Sequence, residues 1–194
     1  MFTAIVLSAK PVTLQLPGVT VLPRVQVLRN PAQLHAARLD ALAHVTTHYC
    51  FFLDDDDALP ADYLQVLDLC AQGMQQAGAL MAFTDEIQRE PGKEDVMRYA
   101  KEYDLQRHQE DGMALHHLVV MNTVAAKLAS KALPRGNFWT EHMLYWHLGR
   151  TGGGVYVPRV GYIWNRNPKG FSRNPLTVVA QSLTRRWVNM EAAK

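Results

Sequence analysis

The chain has 194 residues, of which 48% are hydrophobic and 20% charged, a balance that excludes a disordered protein. Its two cysteines, Cys50 and Cys70, exclude a disulfide framework and give no zinc-ligand spacing. The net charge of +2 conceals a polarity: residues 40–111 carry sixteen acidic side chains against five basic ones, and residues 151–194 carry seven basic ones against Glu191 alone. That pattern suits two solvated faces, or one site in which an acidic loop holds a cation and a basic segment faces phosphates.

Phe2 to Ser8 is short, apolar and β-branched, and reads as a buried strand. Pro11, Pro17, Gly18 and Pro23 break any helix over residues 10–24, and Val25 to Leu28 reads as a second strand. Asn30-Pro31 is an N-cap followed by proline at the first helical position, and Leu34, Ala37, Ala41, Leu42 and Val45 recur at helical spacing, which predicts a helix over 31–45. Tyr49-Cys50-Phe51-Phe52-Leu53 is an apolar run that stops at Asp54-Asp55-Asp56-Asp57, the pattern of a central parallel strand opening into a loop.

A helix follows from Pro60 to about Gln76, stopped by Gly78, and then a strand over 79–84. Residues 88–111 are polar, with helical promise over 96–106. Leu118 to Met121 reads as a strand and Thr123 as the cap of a helix reaching Lys131. Phe138 to Leu148 has helical spacing, Val155–Val157 and Val160–Trp164 read as two strands, and a last helix spans about Leu176 to Met190. The alternation predicts an α/β sandwich with a mostly parallel central sheet, as a single domain. No apolar run approaches the ~20 residues that cross a bilayer. The N-terminus lacks a secretory pattern, so a cytoplasmic location is expected.

Four consecutive carboxylates at one strand tip repel each other and call for a cation or full solvation. Ligands of open α/β sheets bind outside the carboxyl ends of the strands. Oxygen-only ligands favour a hard divalent ion, Mg²⁺ or Mn²⁺, commonly shared with substrate phosphates. The plainer alternative is a solvated acidic turn ahead of the Pro60 helix.

Ala37-Arg38-Leu39-Asp40 together with Tyr49 to Asp57 resembles the family 2 type glycosyltransferases with a GT-A fold. That family shows an Ala-Arg-Asn element and, sixteen residues after its Arg, an Asp-x-Asp (DXD) motif; Asp54 lies sixteen residues after Arg38. Trp139-Thr140-Glu141-His142-Met143-Leu144 resembles the family's acidic element at the start of a helix, and Gly161 to Ser172 its Tyr-x-Tyr-Arg strand and basic loop. Only about thirty residues precede Asn30, so the half that reads the nucleobase is short and the chain resembles a minimal or truncated member.

The resemblance implies a GT-A-like (nucleotide-diphospho-sugar transferase) sandwich. Residues 1–84 would form the nucleotide-sugar and metal half, 112–175 the acceptor and catalytic half, and 176–194 a C-terminal helix. It implies a metal-dependent hexosyltransferase-type enzyme, inverting, moving a sugar from a nucleotide-diphosphate donor to an acceptor hydroxyl. Asp54 and Asp56 are expected to hold Mn²⁺ or Mg²⁺ as a Lewis acid for the departing diphosphate. Arg38, Asp55, Asp57, Arg166, Lys169 and Arg173 are expected on the donor, the last three as cationic phosphate contacts. Glu141, the sole acidic residue between Gly112 and Met190, is the expected general base. Trp139, Trp164 and Tyr162 are expected to form an aromatic platform for the acceptor sugar.

Other residues rank lower. His116-His117 needs a third metal ligand that the sequence does not identify, and His142 and His147 read as surface or partly packed. The alternatives are a non-catalytic relative that binds nucleotide or glycan, and another Mg²⁺-dependent enzyme of phosphate esters. The usual Gly-rich phosphate loop of the latter is missing. No nucleic-acid partner is expected.

Overall fold

The computed structural model describes residues 1–25, 30–167 and 175–194. The strands are β1 (Phe2–Ser8), β2 (Val19–Val25), β3 (Tyr49–Asp54), β4 (Met81–Arg89), β5 (Val96–Arg98), β6 (Val119–Asn122) and β7 (Gly154–Asn165). The helices are α1 (Pro31–Ala43), α2 (Tyr63–Ala77), α3 (Leu105–Glu110), α4 (Thr123–Ala132), α5 (Thr140–Gly152) and α6 (Pro175–Ala192).

The strands form one mixed sheet in the order β2-β1-β3-β6-β4-β5, with β7 joined to β4. β1 pairs in parallel with β2 and β3, and β4 in parallel with β7, while the short β6 runs antiparallel between β3 and β4. Side chains alternate between two apolar layers, as the pleat requires. Ile5, Cys50, Phe52, Met81 and Phe83 face Leu42, Ala126, Met143 and Leu144 of α1, α4 and α5. Ala4, Val6, Phe51, Leu53 and Ala82 face Val66, Leu67, Cys70 and Met74 of α2. Covering on both faces explains why β3 reads as an unbroken apolar run. Among the described residues no helix is long and apolar enough to cross a membrane.

Several elements differ from the sequence expectation. β2 occupies Val19–Val25 inside the proline-rich stretch, because Pro23 is tolerated on an edge strand that, among the described residues, pairs only with β1. Of the strand expected at Val25–Leu28, residues 26–28 lie outside the described residues. The helix expected over 96–106 is instead β5 followed by α3, whose cap Asp104 accepts a hydrogen bond from the Arg107 amide at 2.9 Å. β4 continues through polar Asp85 to Arg89, because β5 and β7 flank that extension. The two strands expected over 155–164 are the single strand β7, with a register irregularity opposite Thr84 to Glu86. Gly161 sits at that irregularity, where an added Cβ would lie 2.4 Å from Thr84 Oγ1. Asn122, not Thr123, caps α4 by accepting from the Ala125 amide at 3.0 Å.

His142 is buried rather than superficial, stacked on buried His108 at 5.2 Å, and its Nε2–H donates to the His108 carbonyl at 2.8 Å. This contact holds α3 against α5, the helix that begins at the candidate site. Burial, helped by the charges of His142 and Arg107, pushes the His108 pKa down to about 3. An unfolded chain takes up that proton below about pH 6.5 and the folded one does not, so the stability is present above pH 6.5 and is lost as pH falls toward 3. In urea titrations at pH 6.5 and pH 4, His108→Phe should show a loss smaller than that of the wild type by about 3 kcal/mol. An equal loss in both proteins would refute this role.

Candidate active site

α1 starts under a sound cap, with Asn30 Oδ1 accepting from the Gln33 amide at 3.0 Å. Its inner face buries Arg38 against the end of β3. Arg38 donates through Nη2 to Asp54 Oδ1 at 2.9 Å and through Nη1 to Glu141 Oε2 at 2.5 Å. Trp139 Nε1 donates to the same Glu141 oxygen at 2.8 Å. Burial opposes the charge on Arg38, but Glu141 and Asp54 outweigh it and raise its pKa. Burial likewise works to raise the Asp54 pKa, and the charge of Arg38 reverses the sign and lowers it.

The four aspartates meet four different environments. Asp54 is bound by Arg38, and Asp55 accepts from the Ser8 hydroxyl at 2.5 Å, outside the main cavity. Asp57 accepts from the Tyr162 hydroxyl at 2.8 Å and from the Asn165 amide at 2.7 Å. Burial and the neighbouring charge of Asp54 still push its pKa up to about 7. Besides a hydrogen bond with its own backbone, the Asp56 carboxylate has a long contact, 3.4 Å from Asn167 Nδ2. Burial and Asp54 raise its pKa as well. Of the four, Asp56 is the one with no short side-chain hydrogen bond among the described residues.

The start of α5 is fixed from α1. His35 Nε2–H donates to the Pro134 carbonyl at 2.8 Å, so Nδ1 carries the lone pair that accepts from the Thr140 hydroxyl at 2.9 Å. Burial lowers the His35 pKa, which favours this neutral form. Thr140 thus serves as an anchor beside Glu141 rather than as a second acid.

A cavity of about 210 Å³ lies over these groups, with Arg38, Asp54, Asp56, Asp57, Trp139, Glu141 and Trp164 in its wall. Tyr162 is fully buried and does not line it; its hydroxyl supports the aspartate turn from behind, accepting from the Asp54 amide at 3.2 Å. Arg166 also stands outside the cavity wall and pairs with Glu90 at 3.4 Å. Lys169 and Arg173 lie outside the described residues. Asn165 and Asn167, not among the expected site residues, line the same wall, as do His116 and His117, which the sequence ranked lower for want of a third ligand. The doubled histidine was the available signal, but its partner Glu86 is thirty residues away.

Such a sheet, with an acidic turn at the carboxyl end of β3 and a second carboxylate drawn to it across the cleft, defines a GT-A-type α/β sandwich. Residues 20–125 match the family described as glycosyl transferase family 2, and the chain belongs to that family. The fold is shared with S. aureus TarS 1-349 in complex with UDP-GlcNAc, at 14% identity and a TM-score of 0.61 over 89% of this chain and 60% of that one. S. aureus TarS 1-349 in complex with UDP is similar at 15% identity and a TM-score of 0.59, over 86% and 61% of the respective chains. The present chain therefore spans about three fifths of those structures. A search of curated proteins finds no significant match.

Replacing Arg38 by Ala leaves the Asp54 and Glu141 carboxylates facing each other without their shared cation. The loss should be about 3 kcal/mol, the lower end for breaking a buried pair, because the Asp54 side chain is 43% exposed. Urea unfolding should show a lower midpoint at an unchanged slope. A midpoint within error of wild type would mean that the bridge contributes nothing.

Proposed function

We propose that the chain transfers a sugar from a nucleoside diphosphate donor to an acceptor hydroxyl, with a divalent cation and with inversion. The observation that supports this reading best is the Arg38 bridge, which sets Glu141 and the aspartate turn in one cavity wall. The TarS structures with UDP-GlcNAc and UDP make uridine diphosphate sugars the first donors to test.

Asp56, with Asp54 beside it, is the natural holder of Mn²⁺ or Mg²⁺: an oxygen-only donor set at a strand tip suits a hard ion shared with phosphates. When bound, the ion would neutralise charge growing on the departing diphosphate. Asp57 and Asp55 are tied to Tyr162, Asn165 and Ser8, so they shape the turn more than they contact the donor. Trp139 and Trp164 remain as aromatic wall for the acceptor ring, while Tyr162 lies buried behind the aspartate turn. Phosphate contact by Arg166 requires exchange of its Glu90 partner, and Lys169 and Arg173 keep the role that the resemblance implies.

Glu141 acts as the base that takes the acceptor proton. Arg38 and Trp139 both contact Oε2, which fixes the carboxylate plane and assigns the proton to Oε1. A single base working directly on the acceptor gives one displacement and therefore inversion.

Nucleotide sugars should be screened with Mn²⁺, with release of the nucleoside diphosphate as the readout. Glu141→Gln should lower kcat by about 10²–10⁴-fold with nucleotide affinity intact. Asp56→Asn should abolish the Mn²⁺ dependence of nucleotide binding. Full turnover in Glu141→Gln removes the base assignment. Mn²⁺-dependent UDP binding without turnover of any donor would favour the non-catalytic binding protein.

A further inference from the structure

A second cluster of ligating side chains stands beside the aspartate turn. Glu86, buried in β4 next to the register irregularity, meets His116 and His117 from the segment before β6. His116 Nδ1 lies 2.7 Å from Glu86 Oε2 and 2.8 Å from Oε1, and His117 Nδ1 lies 3.3 Å from Oε2. One carboxylate oxygen and two imidazole nitrogens lie within 4.8 Å of one another. The rings are held in this pose by aromatic neighbours: His117 stacks on Tyr162 at 4.4 Å, and His116 meets Trp164 edge-on at 4.7 Å.

The geometry points to a site for a borderline divalent transition ion, of the Zn²⁺ and Co²⁺ class, held by Glu86, His116 and His117. Three features support it. The donor set of two imidazoles and a carboxylate suits such ions, and differs from the oxygen-only set of the aspartate turn. His117 Nδ1 is buried and makes no well-formed hydrogen bond, only the 3.3 Å approach to Glu86 Oε2, so a proton shared between Glu86 and His116 leaves it poorly satisfied, whereas an ion satisfies both rings. Arg98 Nη1 donates to Glu86 Oε1 at 2.6 Å, which leaves Oε2 for the ion and supplies the outer hydrogen bond that ligating carboxylates use.

The spacing needs little change. Ligands about 2.0–2.1 Å from a tetrahedral ion stand about 3.3 Å apart, already the separation of His117 from Glu86. His116 Nδ1, now 2.7 Å from Glu86 Oε2, has to open by about 0.6 Å to reach the same separation. His116 and His117 line the main cavity, and with Glu86 and Arg98 also a smaller one behind it, so the ion forms part of the partition between the two. It fastens β4 to the segment leading into β6, under Tyr162 and Trp164.

The test is a Co²⁺ titration of the whole chain after treatment with a chelator, read by visible ligand-field absorption. Low-coordinate, nitrogen-ligated Co²⁺ absorbs far more strongly than Co²⁺ in an octahedral oxygen site. A saturable band at one ion per chain, displaced by Zn²⁺, is expected. His117→Ala and His116→Ala should each weaken binding by about 10-fold or more. Asp56→Asn should leave the band unchanged while removing the Mn²⁺ effect on nucleotide binding, which separates this site from the proposed catalytic one. No saturable band in the wild type overturns the proposal without any variant, as does a band lost in Asp56→Asn but kept in both histidine variants. If either histidine variant lacks a native far-UV spectrum, the wild-type titration and Asp56→Asn decide the matter.

Discussion

Arg38 carries a full charge into a nearly solvent-free position, and that charge is tolerable only because carboxylates flank it on both sides. Neither Asp54 nor Glu141 could approach the other closely without it. Asp54 comes from the tip of β3 and Glu141 from the first turn of α5, parts of the chain nearly ninety residues apart. The guanidinium fork, with one arm to each, turns two unrelated segments into one wall. A lysine would present the same charge without the fixed fork.

The same constraint orders the aspartates. Once Asp54 is committed to Arg38, the turn distributes the remaining three among Ser8, Tyr162 with Asn165, and the cavity wall, where Asp56 keeps a long contact with Asn167. A run of identical residues thereby becomes a set of unlike ones, each with its own partner and its own tendency to hold a proton. Chemistry at such a turn depends less on the number of carboxylates than on which of them the protein leaves unspent.

Much of this was legible in the sequence where one local rule dominated. The Asn30-Pro31 cap and the apolar face behind it marked α1, and the run Tyr49 to Leu53 marked β3, because burial on both faces demands continuous hydrophobicity. The sixteen-residue step from Arg38 to Asp54 likewise survives as a direct contact. What escaped was set by pairing rather than by local pattern. Polar Asp85 to Arg89 is strand because β5 and β7 flank it, and Tyr162 is sealed behind the turn that its hydroxyl braces. The partnership of Glu86 with His116 and His117 exists only after β4 and the segment before β6 are laid side by side.

Gly161 bears on how this cavity can change shape. Its backbone lies so near Thr84 that β7, which carries Trp164, is fastened against β4 with no room for an added side chain. A side chain added at Gly161 would have to displace Thr84 in the neighbouring strand, so variation that admits a bulkier guest is not expected there. The helical part of the wall, with Pro31 and Leu34 of α1 and Thr177, Ala180 and Gln181 of α6, is where swapping a residue disturbs no sheet. Selectivity in this scaffold is thus expected to drift along its helices while the aspartate-bearing side stays as it is.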